Sequence, residues 1–384
     1  MKKIFCLIIS FLFIIIFLNS SLSNYFCYAD SNLTNTNSCT TAKSMVVLET
    51  TNNSVLYSKN ENEKLPMAST TKIVTALTVL ENCEDIDKII TIPLKAILVE
   101  GSSIYLRENE KLSIRQLLYG LMLQSGNDAA TALALEIGNG SIETFADLMN
   151  KTAKKCGVEN SNFVTPHGLD AKEHYTTAKD LALITSYALK NETFKQIVST
   201  KTYKIDGNEN CTKRTIINKN KLLNSLEGCV GVKTGYTSKA GRCLVSACER
   251  NGMQVVCVVL NCRPMFEESA ELINKAFEEY KLYEILPPYK FITDVSVEDG
   301  KSSSLRLYNK NGFGVVAKEK DIDRYSIIYD YSKTTKAPIS KDQKLGKVEI
   351  YFDKTLIFSE DLCSIEKVDS IDTNDKIKII LDKW

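Results

Sequence analysis

The sequence predicts an α+β protein, on three observations. Segments with helical periodicity crowd residues 70–189, three short β-rich runs follow at 228–260, and only strand-like pieces follow the Pro287-Pro288 break. The 384 residues, 44% hydrophobic and 25% charged, have ordinary globular composition and exclude a disordered chain. Lys plus Arg total 48 against 47 acids, so charge offers no case for nucleic-acid binding.

The elements follow in order. Lys2 and Lys3 precede an apolar run from Ile4 to Leu18, and Cys27-Tyr28-Ala29 offers a cleavage point. Residues 1–29 therefore read as a signal peptide, and the rest is expected to be exported. Residues 30–43, rich in Ser, Asn and Thr, read as a linker. Ser44–Tyr57 suggests a strand pair turning at Asn52-Asn53. Thr70–Leu80 is a predicted helix, with Ile73, Val74, Leu77 and Leu80 on one face. Further helices are expected over Ile114–Leu123, Asp128–Ile137, Ile142–Lys155 (capped by Ser141) and Thr177–Leu189. The β-rich runs are Gly228–Lys233, Arg242–Cys248 and Met253–Leu260, the last two joined at an Asn251-Gly252 turn. A helix over Glu267–Tyr283 closes this part. The division expected is a catalytic domain at 44–286 and an all-β domain at 287–384.

Ten of the twelve cysteines lie beyond residue 29, scattered through a chain too long to need disulfide staples. Cys243, Cys248 and Cys257 fall in apolar runs and are expected to pack as small core residues. There is no CxxC pair, and histidine is limited to His167 and His174. No metal or other cofactor is expected.

Three short motifs can carry chemistry. Ser69-Thr70-Thr71-Lys72 opens the first helix, where residues three apart share a face and helix-start amides can meet an oxyanion. A lysine there acts as a base only if its pKa is lowered. Ser125-Gly126-Asn127 supplies a hydroxyl and an amide after the second helix. Lys233-Thr234-Gly235 lies on a β-run, its glycine allowing close approach of another backbone. Each motif alone is weak; order and placement together are specific to serine β-lactamases and penicillin-binding proteins.

The chain resembles the low-molecular-weight penicillin-binding proteins that act as serine-type D-alanyl-D-alanine carboxypeptidases. Leu117–Ala130, Phe163–Asp170, His174–Leu181 and Gly231–Leu244 carry the likeness beyond the three motifs. The resemblance implies a β-lactamase/transpeptidase-like catalytic domain followed by a smaller all-β domain. It implies Ser69 as nucleophile, Lys72 as its base and Ser125 as proton shuttle. Asn127 would bond the substrate amide, while Lys233 and Thr234 would meet the terminal carboxylate. The amides of Ser69 and Tyr236, beside Gly235, would form the oxyanion hole. Many relatives place a carboxylate-binding Arg just before the closing helix; that position reads Met265 here, so Arg242 is the favoured substitute and Arg263 the other. His167 is read as structural. The implied partners are D-Ala-D-Ala stem peptides of peptidoglycan, with β-lactams as inhibitors and no nucleic acid. Relatives often end in an amphipathic membrane-lying helix. Lys376–Lys383 fits a strand as well as a half-turn of helix, so membrane contact is not evident there.

Three alternatives share the motifs. A β-lactamase needs a Glu-activated water, and no matching Glu-x-x-x-Asn segment stands between the second and third motifs. A D,D-endopeptidase or transpeptidase fits the same residues. A non-catalytic wall-binding module predicts a lost Ser, Lys or Asn, and all are present.

Overall fold

The computed structural model describes residues 40–372, in two units. The expected signal peptide, most of the linker and the terminal Lys376–Lys383 segment lie outside the described residues. One unit takes in residues to Pro288 and again Gly312–Asp323; the other comprises Tyr289–Asn311 and the chain from Arg324.

The first unit is built on a five-stranded antiparallel sheet. Its order is Val55–Lys59, Ser44–Glu49, Met253–Leu260, Gly241–Arg250 and Cys229–Thr237. Both faces are covered, which is why its inner strands read as continuous apolar runs. Val46, Leu48, Val245, Val256 and Val258 face the large helical layer, while Met45, Val47, Leu244, Val255 and Val259 face the helix Met265–Glu279. Residues alternate between the two cores with the period of two that a pleated strand imposes.

The expected helices form with their caps. Ser113 and Gln116 make a reciprocal capping box ahead of Ile114–Leu123, and Ser141 accepts from the Thr144 amide to open Ile142–Lys155. Thr177 accepts from Asp180 to open Ala178–Ala188. Cys243, Cys248 and Cys257 are fully buried. Asn251 and Gly252 both take positive φ, as a two-residue hairpin of this kind requires.

Two expectations are corrected. The first helix opens as a 3-10 turn, Ala68–Thr71, and becomes α-helical at Lys72. The closing helix stops at Glu279, because Lys281–Leu286 is a strand that pairs with Phe313–Ala317. That partner lies some thirty residues downstream, so no local pattern marks the change. Sequence reading also passed over the Glu192–Ser199 helix and the hairpin of Thr202–Ile205 with Arg214–Ile217.

The second unit holds a six-stranded sheet. Its order is Tyr325–Tyr331, Lys344–Phe352, Thr355–Ser364, Ser304–Asn309, Phe291–Glu298 and Thr334–Lys336, all antiparallel except the last pair. Val297, Leu305, Ala337, Ile339 and Val368 pack as its small core.

One buried ion pair ties the Thr202–Ile217 hairpin to the loop that borders the future site. Arg214 donates to both carboxylate oxygens of Glu110, at 2.6 and 2.7 Å, and to the carbonyls of Ile104 and Tyr105. Burial opposes ionisation of Glu110, but the bonds from Arg214 and from the Thr212 and Arg107 amides hold its pKa at about 2. A depressed carboxylate pKa adds stability above the unfolded value. That stability is expected to disappear as pH falls from about 4.3 toward 2. Glu110→Gln leaves a buried guanidinium unpaired and should cost about 3 kcal/mol, read as a lowered urea midpoint at neutral pH. An unchanged midpoint would show the pair to be dispensable.

Candidate active site

Ser69 lies half-buried in the 3-10 turn that starts the helix Lys72–Asn82. Ala68, just before it, takes φ of +51°. A left-handed alanine costs free energy and persists only where neighbours enforce it. Those neighbours are visible. A Cβ on Gly168 would come 2.0 Å from the Ala68 carbonyl, and one on Gly235 within 3.1 Å of the Ser69 and Thr70 amides. The close approach that Gly235 permits is therefore made by the chain's own Ser69 turn.

Lys72 is fully buried. Its Nζ lies 2.9 Å from Ser69 Oγ, 2.8 Å from Asn127 Oδ1 and 2.6 Å from the His167 carbonyl. Asn127 is oriented by its Nδ2, which donates to the Glu100 carbonyl at 2.6 Å, so Oδ1 is the atom turned to Lys72. Burial, then the positive charges of Lys233 and Lys219, push the Lys72 pKa well below the usual lysine value. In the neutral amine two hydrogens serve Asn127 and His167, which can only accept. The lone pair is then left facing Ser69 Oγ, the one partner with a proton to give.

Ser125 takes φ of +64° between the helices Ile114–Leu123 and Asn127–Ile137, and its hydroxyl accepts from Lys233 Nζ. Lys233 is likewise buried; burial, then Lys219, lower its pKa to about 7. Lys233 and Gly235 are two apart on the edge strand Cys229–Thr237 and share its inner face; Thr234 and Tyr236 share the other. Arg242 pairs directly across from Tyr236, so it stands on the face of Thr234; both Arg242 and Tyr236 are exposed. Met265 is buried, and Arg263 is exposed before the closing helix. The structure thus joins Ser69, Lys72 and Asn127 directly, joins Ser125 to Lys233, and sets Thr234, Gly235, Tyr236 and Arg242 along the adjoining strands.

Both histidines are neutral scaffold. Burial, then the charge of Lys72, lowers His167 to about 3, and its carbonyl rather than its ring meets the lysine. Burial lowers His174 to about 4. The Val164 amide donates to its Nδ1, so its Nε2–H must donate to Thr71 Oγ1, 3.0 Å away, in the Ser69 turn. Among the described residues no group of three His, Cys, Asp or Glu could hold a metal ion.

Sequence reading missed several supports. Asp128 accepts from Ser103, Ile104 and Leu106 and so fixes the loop whose Ser102 carbonyl receives the Asn127 amide; an acid in the first helical turn was its available signal. The carbonyls of Glu100, Pro166 and His167 had none. Lys219 was one lysine among many.

Two expectations follow. Gly168→Ala forces a Cβ into the Ala68 carbonyl from a left-handed backbone, and should slow acylation of Ser69 by a fluorescent penicillin about 100-fold; an unchanged rate would mean that the turn yields freely. Lys219→Gln removes a positive neighbour, so the Lys72 pKa must rise and the acid limb of the acylation rate must move to higher pH. A limb that stays or moves down would contradict this electrostatic account.

The arrangement matches known proteins along most of the chain. A family model described as D-alanyl-D-alanine carboxypeptidase matches residues 31–263, and the model of the penicillin-binding protein 5 C-terminal domain matches 277–370. The D-alanyl-D-alanine carboxypeptidase DacF of Bacillus subtilis is 33% identical over 315 residues, covering 79% of this chain and 80% of that protein. The crystal structure of penicillin-binding protein 5 from Haemophilus influenzae is similar with a TM-score of 0.70 at 27% identity, over 86% of this chain and 98% of that one. The Streptomyces K15 DD-transpeptidase structure matches 62% of this chain at 35% identity, with a TM-score of 0.59 and 98% of its own length covered.

Proposed function

Because this chain belongs to the D-alanyl-D-alanine carboxypeptidase family, we propose that Ser69 is the nucleophile through which it trims peptidoglycan stem peptides. The chain is a serine hydrolase with D-alanyl-D-alanine carboxypeptidase function, and it works outside the cytoplasm. Among the described residues no helix is long and apolar enough to cross a membrane. Export through a cleaved signal, leaving a protein secreted or associated with the cell wall or membrane, is the finer reading of the leader.

The observation that carries the assignment is the Lys72 contact set. Lys72 takes the Ser69 proton as Oγ bonds to the carbonyl carbon of the penultimate D-Ala. The amides of Ser69 and Tyr236 would receive the oxyanion; the packing of Gly235 on the nucleophile turn supports that pairing. The bond to the terminal D-Ala breaks, and its nitrogen takes a proton relayed by Ser125 from Lys233. Water then hydrolyses the acyl-enzyme. With a pKa near 7, Lys233 is charged in only part of the free molecules; a substrate carboxylate beside it favours the charged form. Thr234 and Arg242, on one strand face, are the further groups assigned to that carboxylate, and Asn127 to the substrate amide.

A fluorescent penicillin and diacetyl-Lys-D-Ala-D-Ala test the reading together. Covalent labelling and D-Ala release are both expected, with Ser69→Ala abolishing the label and lowering release by roughly 10⁴-fold or more. Labelling without D-Ala release would overturn the carboxypeptidase reading in favour of transpeptidase or endopeptidase action, the activity named for the Streptomyces K15 structure being the former. Rapid turnover of the penicillin would point to a β-lactamase, and no labelling to a binding module.

A further inference from the structure

Cys229 opens the edge strand that carries Lys233, four residues further on, and lies directly opposite Cys248 in the neighbouring strand. The hydrogen bonds around the pair define its geometry. The Glu249 amide donates to the Gly228 carbonyl at 2.9 Å, which makes residues 228 and 249 a hydrogen-bonded pair. The next pair in an antiparallel ladder is then non-hydrogen-bonded, and the Cys229 amide indeed turns to its own loop, to the Leu226 carbonyl. Residues in such a pair have Cα atoms about 4.5 Å apart and side chains on one face, within the roughly 4.4–6.8 Å range that a disulfide spans. Both thiols lie on the sheet face packed by the helix Met265–Glu279.

The two sulfurs are unequal. Cys248 is fully buried, and the thiol of Cys229 beside it, then burial, raise its pKa. Cys229 is half-buried at the strand end, and the thiol of Cys248 lowers its pKa against the effect of burial. A reagent from solution therefore meets Cys229 first, in the more nucleophilic form.

We propose that Cys229 and Cys248 are a thiol–disulfide modification site, forming a cross-strand link that staples the Lys233-bearing edge strand to its neighbour. The oxidant is a low-molecular-weight disulfide. Cys229 thiolate attacks one of its sulfurs, giving a mixed disulfide and releasing one thiol. Cys248 thiolate then displaces the second thiol and closes the link; the protons lost by the two cysteines end on the two released thiols, and the external disulfide is reduced by two electrons.

The test incubates the purified full chain with oxidised glutathione, alkylates remaining thiols, and maps peptides without reduction. The expected result is a peptide linking Cys229 to Cys248 and a Tm about 3 °C or more above that of the dithiothreitol-reduced chain. In Cys248→Ser the link is absent, Cys229 retains glutathione, and the Tm gain disappears. Both thiols alkylated after oxidation, or a link confined to other cysteines, overturns the site. A mapped 229–248 link with an unchanged or lower Tm overturns the staple, and no adduct in Cys248→Ser overturns Cys229 as the attacking thiol.

Discussion

The amino group of Lys72 sits where three separate stretches of chain meet, and the arrangement of the site depends on holding it there without water. The Ser69 turn, the start of the Asn127–Ile137 helix and the loop through His167 each supply one hydrogen-bonding partner. A lysine carried into a dry interior is costly in its charged form, so the surroundings are arranged to make neutrality tolerable. Two acceptors take the hydrogens of the neutral amine, the Ser69 hydroxyl faces its lone pair, and two further lysines oppose its charge. A solvated lysine at the same distance from Ser69 would be an ammonium and could take no proton.

Much of the surrounding architecture maintains those three contacts. Asn127 is turned correctly because the Glu100 carbonyl holds its other end, and the loop bearing Glu100 is fixed in turn by Asp128 and Arg214. Thr75 donates to the Pro166 carbonyl and Lys72 to that of His167, so one loop is tied to consecutive turns of one helix. Gly168 and Gly235 press on the Ser69 turn from two sides, where even a methyl group would collide or crowd. The geometry of the Ser69 hydroxyl is thus a property of four packed segments rather than of the Ser69–Lys72 spacing alone.

Lys233 extends the same logic. It is buried on the inner face of an edge strand, its charge lowered by its surroundings, and it reaches Ser125 rather than Lys72. Two buried lysines, both lowered by burial and by Lys219 and each with its own serine, give two proton-handling pairs linked through the short Ser125-Gly126-Asn127 segment. One pair suits removal of a proton from the attacking hydroxyl; the other suits delivery of one to the departing nitrogen.

The element types and the order of the three motifs were legible in the chain, because helical periodicity, caps and turn residues act over a few neighbours. Ser113, Ser141 and Thr177 announce their helices, and Asn251-Gly252 its hairpin, whatever lies elsewhere. The residues that meet at the site were legible through resemblance, since Ser69, Ser125 and Lys233 stand far apart along the chain. Three things came only from tertiary structure. The partners of Lys72 and Asn127 include the carbonyls of His167 and Glu100, and a backbone carbonyl is the same group in every residue. The strand Lys281–Leu286 was hidden because its partner, Phe313–Ala317, is distant in sequence. The lowered pKa values of Lys72 and Lys233 arise from burial and neighbouring charge, which exist only once the chain has packed around them.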